Sequence, residues 1–77
     1  MLNELDLVSL RQRLPELSLE PGDVGTIVLV YRDGEAYEVE FVTADGQTVA
    51  VETLRAEQLE PFAGHQILHA RRLQPAN

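Results

Sequence analysis

Apolar and polar side chains alternate strictly from Tyr37 to Phe41, with Tyr37, Val39 and Phe41 on one face and Glu38 and Glu40 on the other. A period of two predicts a strand over Ala36–Val42 with one face in a core and one in water. Before it runs Glu20-Pro21-Gly22-Asp23-Val24-Gly25-Thr26-Ile27-Val28-Leu29-Val30-Tyr31, which reads as a tight turn feeding a long apolar strand. Pro21 fixes φ for the second position of a turn, and Gly22 takes the positive φ that a type II turn needs next. Gly25, inside the strand, marks a bend or a close backbone approach. The Asp33-Gly34 pair in Arg32-Asp33-Gly34-Glu35 predicts a tight hairpin, and Gly46 in Ala44-Asp45-Gly46-Gln47 predicts a second. Thr48–Leu54 then returns as a third strand, expected to point Val49 and Val51 inward and Glu52 outward. These three strands make an antiparallel meander.

The flanks complete the architecture. Leu5–Leu10 is expected to be a first strand; a helix competes, because Leu5, Val8 and Gln12 fall near helical spacing and Asn3 could cap it. Pro15 interrupts any regular element between Arg11 and Leu19, leaving a long loop with Leu14, Leu17 and Leu19 tucked under the sheet. Ala56–Leu59 has room for one helical turn before Pro61, with Leu59 dropping into the core. The expected fold is therefore all-β: a small SH3-like antiparallel five-stranded barrel over residues 1–61, with a single helical turn before its last strand, then a C-terminal tail over 62–77.

Several blocks together resemble a family of small bacterial proteins classed only as a domain of unknown function: Asp6–Leu10, Leu14-Pro15-Glu16, Gly22–Val28, Ala36–Phe41 and Leu54–Leu59. The resemblance covers roughly residues 4 to 61. Gly22-Asp23-Val24-Gly25-Thr26 is also loosely similar to the opening of the KOW barrels and of the nitrile hydratase beta-subunit barrel. The family resemblance implies a stand-alone barrel that pairs with a neighbouring gene product, as an antitoxin or immunity partner would. A KOW role would want basic residues around the hairpin, where this chain has Asp33, Glu35, Glu38 and Glu40 beside Arg32 alone. A nitrile hydratase role would need a much longer subunit and a metal-bearing partner.

Composition narrows the partner. The 77 residues carry thirteen Asp and Glu against six basic residues, all Arg, for a formal net charge of −7 and a pI near 4.5. Such a surface repels a phosphate backbone, so nucleic acid is not an expected partner. A more basic protein is, since opposite potentials speed encounter and help select partners. The competing reading is that the acids simply keep a small domain soluble. An apolar share of 44% supports a folded core. With no cysteine, the chain has no disulfide, thiolate site or cysteine nucleophile. No apolar run nears the ~20 residues that span a bilayer, and Met1–Glu4 does not open a secretory leader. The expected setting is cytoplasmic, without a membrane partner.

Catalytic constellations do not assemble. Ser9 and Ser18, the two serines, lack a nearby histidine or a Gly-x-Ser-x-Gly elbow. Glu38 and Glu40 share a face that Glu52 could oppose, but a solvated face that deters edge-to-edge pairing is the favoured account. His65 and His69 stand at metal-ligand spacing if helical, yet lack a third ligand. Tyr31, Tyr37, Phe41 and Phe62 could cage a cation, although Tyr37 and Phe41 are wanted in the core. No cofactor or metal is expected, and no enzymatic activity. The tail holds two of the six arginines and no acid, so Ile67, Leu68 and Leu73 can form an apolar side that docks on the barrel or on a second copy, while Arg71 and Arg72 meet acidic strand faces. The reading is a non-enzymatic protein-binding module, with Glu38, Glu40, Glu52, Ile67, Leu68, Arg71 and Arg72 as partner contacts and Pro21, Gly22, Gly25, Gly34 and Gly46 as structural positions. A homo-oligomer through the tail is a further arrangement. The alternative role is an accessory subunit that stabilises an enzyme.

Overall fold

The computed structural model describes residues 2–62 and 66–73. Its strands are β1 (Leu7–Leu10), β2 (Val24–Tyr31), β3 (Ala36–Val42), β4 (Thr48–Arg55) and β5 (Leu59–Pro61). They form one antiparallel sheet in the order β4-β3-β2-β1-β5. The helical residues among those described are three short 3-10 turns, Pro15–Leu17, Arg32–Gly34 and Ala56–Gln58. The fold is therefore all-β, with its elements in the expected order. β4 and β5 are opposite edges of the sheet, yet a single 3-10 turn joins them. The sheet must curl until its edges approach, and it does so around one core: the most deeply buried side chains, Val8, Ile27, Val39, Leu54 and Leu59, come one from each strand.

The turn before β2 is built as its residues demand. Gly22 has φ of +91°, the Asp23 N–H donates to the Glu20 carbonyl at 3.1 Å, and the Asp23 carboxylate accepts the Glu20 N–H at 2.9 Å. Gly25 is the close approach. A Cβ there would stand 2.6 Å from Val39 Cγ1, 2.9 Å from Phe41 Cε1 and 3.0 Å from the Glu40 carbonyl. Leu14 and Leu19 are buried under the sheet, joined by a bridge whose two N–H···O bonds measure 2.9 and 3.1 Å, with Leu17 partly covered.

Three local expectations are corrected. The first strand begins at Leu7, because the Asp6 carboxylate accepts the Asn3 N–H at 2.9 Å and closes a turn that leaves Leu5 at φ +74° and exposed. The expected hairpin forms at Asp33-Gly34, both at positive φ, but its loop is longer than that pair. Tyr31 and Ala36 form the last β2–β3 pair, and Arg32, Asp33 and Gly34 all take positive φ within a four-residue loop closed by the Glu35 N–H on the Tyr31 carbonyl at 3.0 Å. Most consequential is β4. Its register pairs Tyr37 with Leu54, Val39 with Glu52, Phe41 with Ala50 and Glu40 with Val51. Val51 therefore faces outward, 49% exposed, and Glu52 lies half-buried on the core face beside Val39. An irregularity between Phe41 and Val42 absorbs one extra residue, so Val49 packs partly on the core although Val51, two residues on, does not.

Substituting Gly25 tests the close approach. Gly25→Val is expected to destabilise the fold by about 1–3 kcal/mol through overpacking, read as a lower midpoint in urea or thermal unfolding followed by circular dichroism. Gly46→Ala is expected to cost less: Gly46 has φ of +89° but nothing within 4 Å of a new Cβ, so only backbone strain opposes it.

Candidate functional site

Two surfaces concentrate chemistry. The first is the outer face of β2, β3 and β4, where the period of two in β3 aims Glu38 and Glu40 away from the core. The pairs Leu29–Glu38–Thr53 and Thr26–Glu40–Val51 cross it. Each carboxylate is held by a threonine of β4: the Thr53 hydroxyl donates to Glu38 Oε1, and the Thr48 hydroxyl donates to Glu40 Oε2 at 2.9 Å. Around the two acids stand Val28, Leu29, Tyr31, Val42 and Val51, all at least a third exposed. The irregularity between Ile27 and Leu29 turns Val28 out as well. The face thus has an acidic centre with an exposed aliphatic surround. Glu52 does not join it; its pairing with Val39 places it on the opposite face, so the three glutamates do not converge.

The second surface lies where the tail crosses the turn before β2. Arg71 Nε donates to Asp23 Oδ1 at 2.9 Å, Arg71 Nη2 donates to Asp23 Oδ2, and the same Nη2 reaches the Ser18 carbonyl at 2.7 Å. This is a bidentate, charge-assisted pair with a third acceptor, a geometry only an arginine fork supplies. His69 Nε2 lies 3.4 Å from Asp23 Oδ1 and 3.4 Å from where a Cβ on Gly22 would stand. Burial pushes the Asp23 carboxyl up, but the Arg71 hydrogen bond, the Glu20 N–H and the attraction of Arg71 and His69 outweigh it and hold it below the usual 3.8. The Arg71 guanidinium is correspondingly raised, first by its hydrogen bond to Asp23.

Other expected residues fall elsewhere. Arg71 meets the β2 turn and not the strand faces, and Arg72 is exposed. Ile67 and Leu68 are 91% and 64% exposed, so neither packs on its own barrel. Residues 67–73 are not helical, and His65 lies outside the described residues, so the histidine pair has no described geometry. Among the described residues no three His, Cys, Asp or Glu gather to hold a metal. Tyr37 and Phe41 are buried in the core and Tyr31 is exposed, so the aromatic stock is divided between core and surface. Sequence reasoning missed Asp23 as a site residue. Its signal was its place after Pro21-Gly22, where an aspartate both closes the turn and stays near the surface.

Fold and surface together define a small five-stranded antiparallel domain with an acidic outer face. The chain belongs to the family described as Domain of unknown function (DUF4926), whose model matches residues 4–61. No curated protein and no solved structure matches it. No helix among the described residues is long and apolar enough to cross a membrane.

The Asp23–Arg71 tie sets an acid limit. Protonating Asp23 favours the unfolded chain, where its pKa is higher; the tie contributes fully above the ordinary value of 3.8 and is lost as pH falls through the lowered folded value. Arg71→Ala and Asp23→Asn are each expected to cost about 1 kcal/mol at neutral pH. A double-mutant cycle by urea denaturation should return a non-zero coupling at pH 7 that shrinks progressively as pH falls below 3.8. Simple additivity at every pH would remove the tie from the stability of the fold.

Proposed function

We propose that this chain is a non-enzymatic protein-binding module that docks a more basic protein on the outer face of β2, β3 and β4. The observation that carries the reading is the placement of Glu38 and Glu40 at the centre of that face, steadied by Thr53 and Thr48 and surrounded by exposed Val28, Leu29, Tyr31, Val42 and Val51. Desolvated aliphatic contact supplies affinity, and the two carboxylates supply steering and register on a basic surface. The net charge of −7 extends the attraction over the whole domain. A cytoplasmic partner encoded beside it, held as an antitoxin or immunity protein holds its target, fits this chemistry. An accessory subunit of an enzyme would use the same face, with the aliphatic residues dominating.

Salt and mutation separate these roles. The tagged full-length chain, used to capture partners from its native lysate, is expected to retain one stoichiometric basic protein at low salt and less of it as ionic strength rises. The Glu38→Gln/Glu40→Gln variant keeps an acceptor for each threonine and should weaken that complex roughly tenfold, about 1.4 kcal/mol. Val51→Lys should abolish it by placing a like charge against the partner. Salt-insensitive capture that only Val51→Lys breaks would indicate the accessory subunit. Equal capture by all three proteins would remove this face from recognition.

A further inference from the structure

The crossing of the tail over the barrel is more than an ion pair. A half-open cleft of about 400 Å³ lies there, its apolar floor formed by Leu19, Val24, Phe41 and Val49 and its charged corner by Asp23. Arg71 occupies that corner and Leu73 lines the cleft two residues on. We infer that this cleft is a peptide-reading site for an arginine followed two positions later by an aliphatic residue, presented by a partner protein, and that the chain's own tail takes its charged corner and walls one side of it in cis.

The receptor half is organised without help from the tail. Asp23 Oδ2 is oriented by the Glu20 N–H at 2.9 Å inside the Pro21-Gly22 turn, and that turn is tied to the end of β1 by the Gly22 N–H on the Leu10 carbonyl at 2.9 Å. The Ser18 carbonyl is set by the left-handed exit of the 3-10 turn, with Ser18 at φ +59° and its N–H on the Pro15 carbonyl at 3.1 Å. Two carboxylate oxygens and a carbonyl thus converge on one guanidinium from positions that hydrogen bonds within the barrel hold, which lowers the ordering cost of binding. A lysine could not match the fork.

The ligand half is loosely held. Ile67 and Leu68, two of the tail's three large aliphatics, stand in solvent, so the tail's grip centres on Arg71, with His69 3.4 Å from the same carboxylate and Leu73 lining the cleft. All thirteen acidic residues precede residue 61, whereas the tail is basic, so a basic segment is drawn to the barrel whether it comes from this chain or another. The cleft floor and Asp23 lie within the family-matched stretch 4–61, and the tail lies beyond it. A cis segment of this kind acts as a competitor at high effective concentration that a better ligand displaces. The cleft adjoins the Glu38–Glu40 face at Val42, and its test leaves Glu38, Glu40 and Val42 intact.

The experiment is fluorescence anisotropy with a labelled peptide of residues 66–73, titrated with full-length chains. Saturable binding is expected to the Arg71→Ala chain, whose own tail has lost its anchor. Binding to the wild-type chain should be roughly tenfold or more weaker, because the intact tail competes. Peptides carrying Arg71→Lys or Leu73→Ser, offered to the same Arg71→Ala chain, should each lose roughly tenfold; these comparisons share one folded host and do not depend on any other variant folding. A peptide with Arg-Ala-Leu between glycines and serines should bind as the tail peptide does. No binding to the Arg71→Ala chain, or equal binding of the lysine and arginine peptides, overturns the proposal, the second outcome revealing only general attraction to an acidic surface. Sedimentation of the wild-type chain should show a monomer. A dimer that Asp23→Asn dissolves would put a second copy's tail in the cleft and overturn the partner-protein assignment.

Discussion

The bare backbone at Gly25 is the contact on which the rest depends. Val39 and Phe41 of β3 press against β2 where any side chain would stand, 2.6 to 3.0 Å from a Cβ. That approach lets β2 bend between its pairing with β1, where Val8 faces Gly25, and its pairing with β3, where Ile27 faces Val39. Without the bend the sheet would stay open, and the 3-10 turn at Ala56–Gln58 could not bring β5 to β1. The single core, to which every strand contributes one deeply buried side chain, follows from that curl. A domain of 77 residues has little apolar area to spare, so one crowded glycine position governs a large share of its packing.

Two irregularities then decide what the domain shows to solvent. The one in β2 turns out Val28 and Leu29 together, and the one between β3 and β4 turns out Val51 while admitting Val49. Each moves an aliphatic side chain onto the outer face beside Glu38 and Glu40. The result is an outer face on which two carboxylates stand among partly exposed aliphatic side chains. Charge is unevenly spread as well: the barrel carries all the acids, and the tail answers with Arg71 in the Asp23 cleft.

The meander was legible in the sequence because its signals are local. Alternation in Tyr37–Phe41, positive φ at Gly22 and Gly46, and the crowding of Gly25 each depend on a few neighbouring residues and were read correctly. The outward set of Glu38 and Glu40 was legible for the same reason. The parity of β4 was not: Thr48–Leu54 alternates imperfectly, and a one-residue irregularity whose position depends on the partner strand reverses every face assignment after it. Leu5 was misread because a side chain three residues from Asn3, that of Asp6, captured the backbone before the strand could begin.

What the sequence determined by itself was the class of fold, the order of its elements and the sign of its surface, since hydrophobic period, turn chemistry and net charge are properties of the chain alone. Tertiary structure decided which side chains meet. Asp23 and Arg71 are 48 residues apart and nothing in either neighbourhood names the other; only the curl of the sheet and the return of the tail over the β2 turn bring a carboxylate and a guanidinium together. The same curl set Glu52 against Val39 and Val51 in the open, because register is fixed by the partner strand and not by the strand that obeys it.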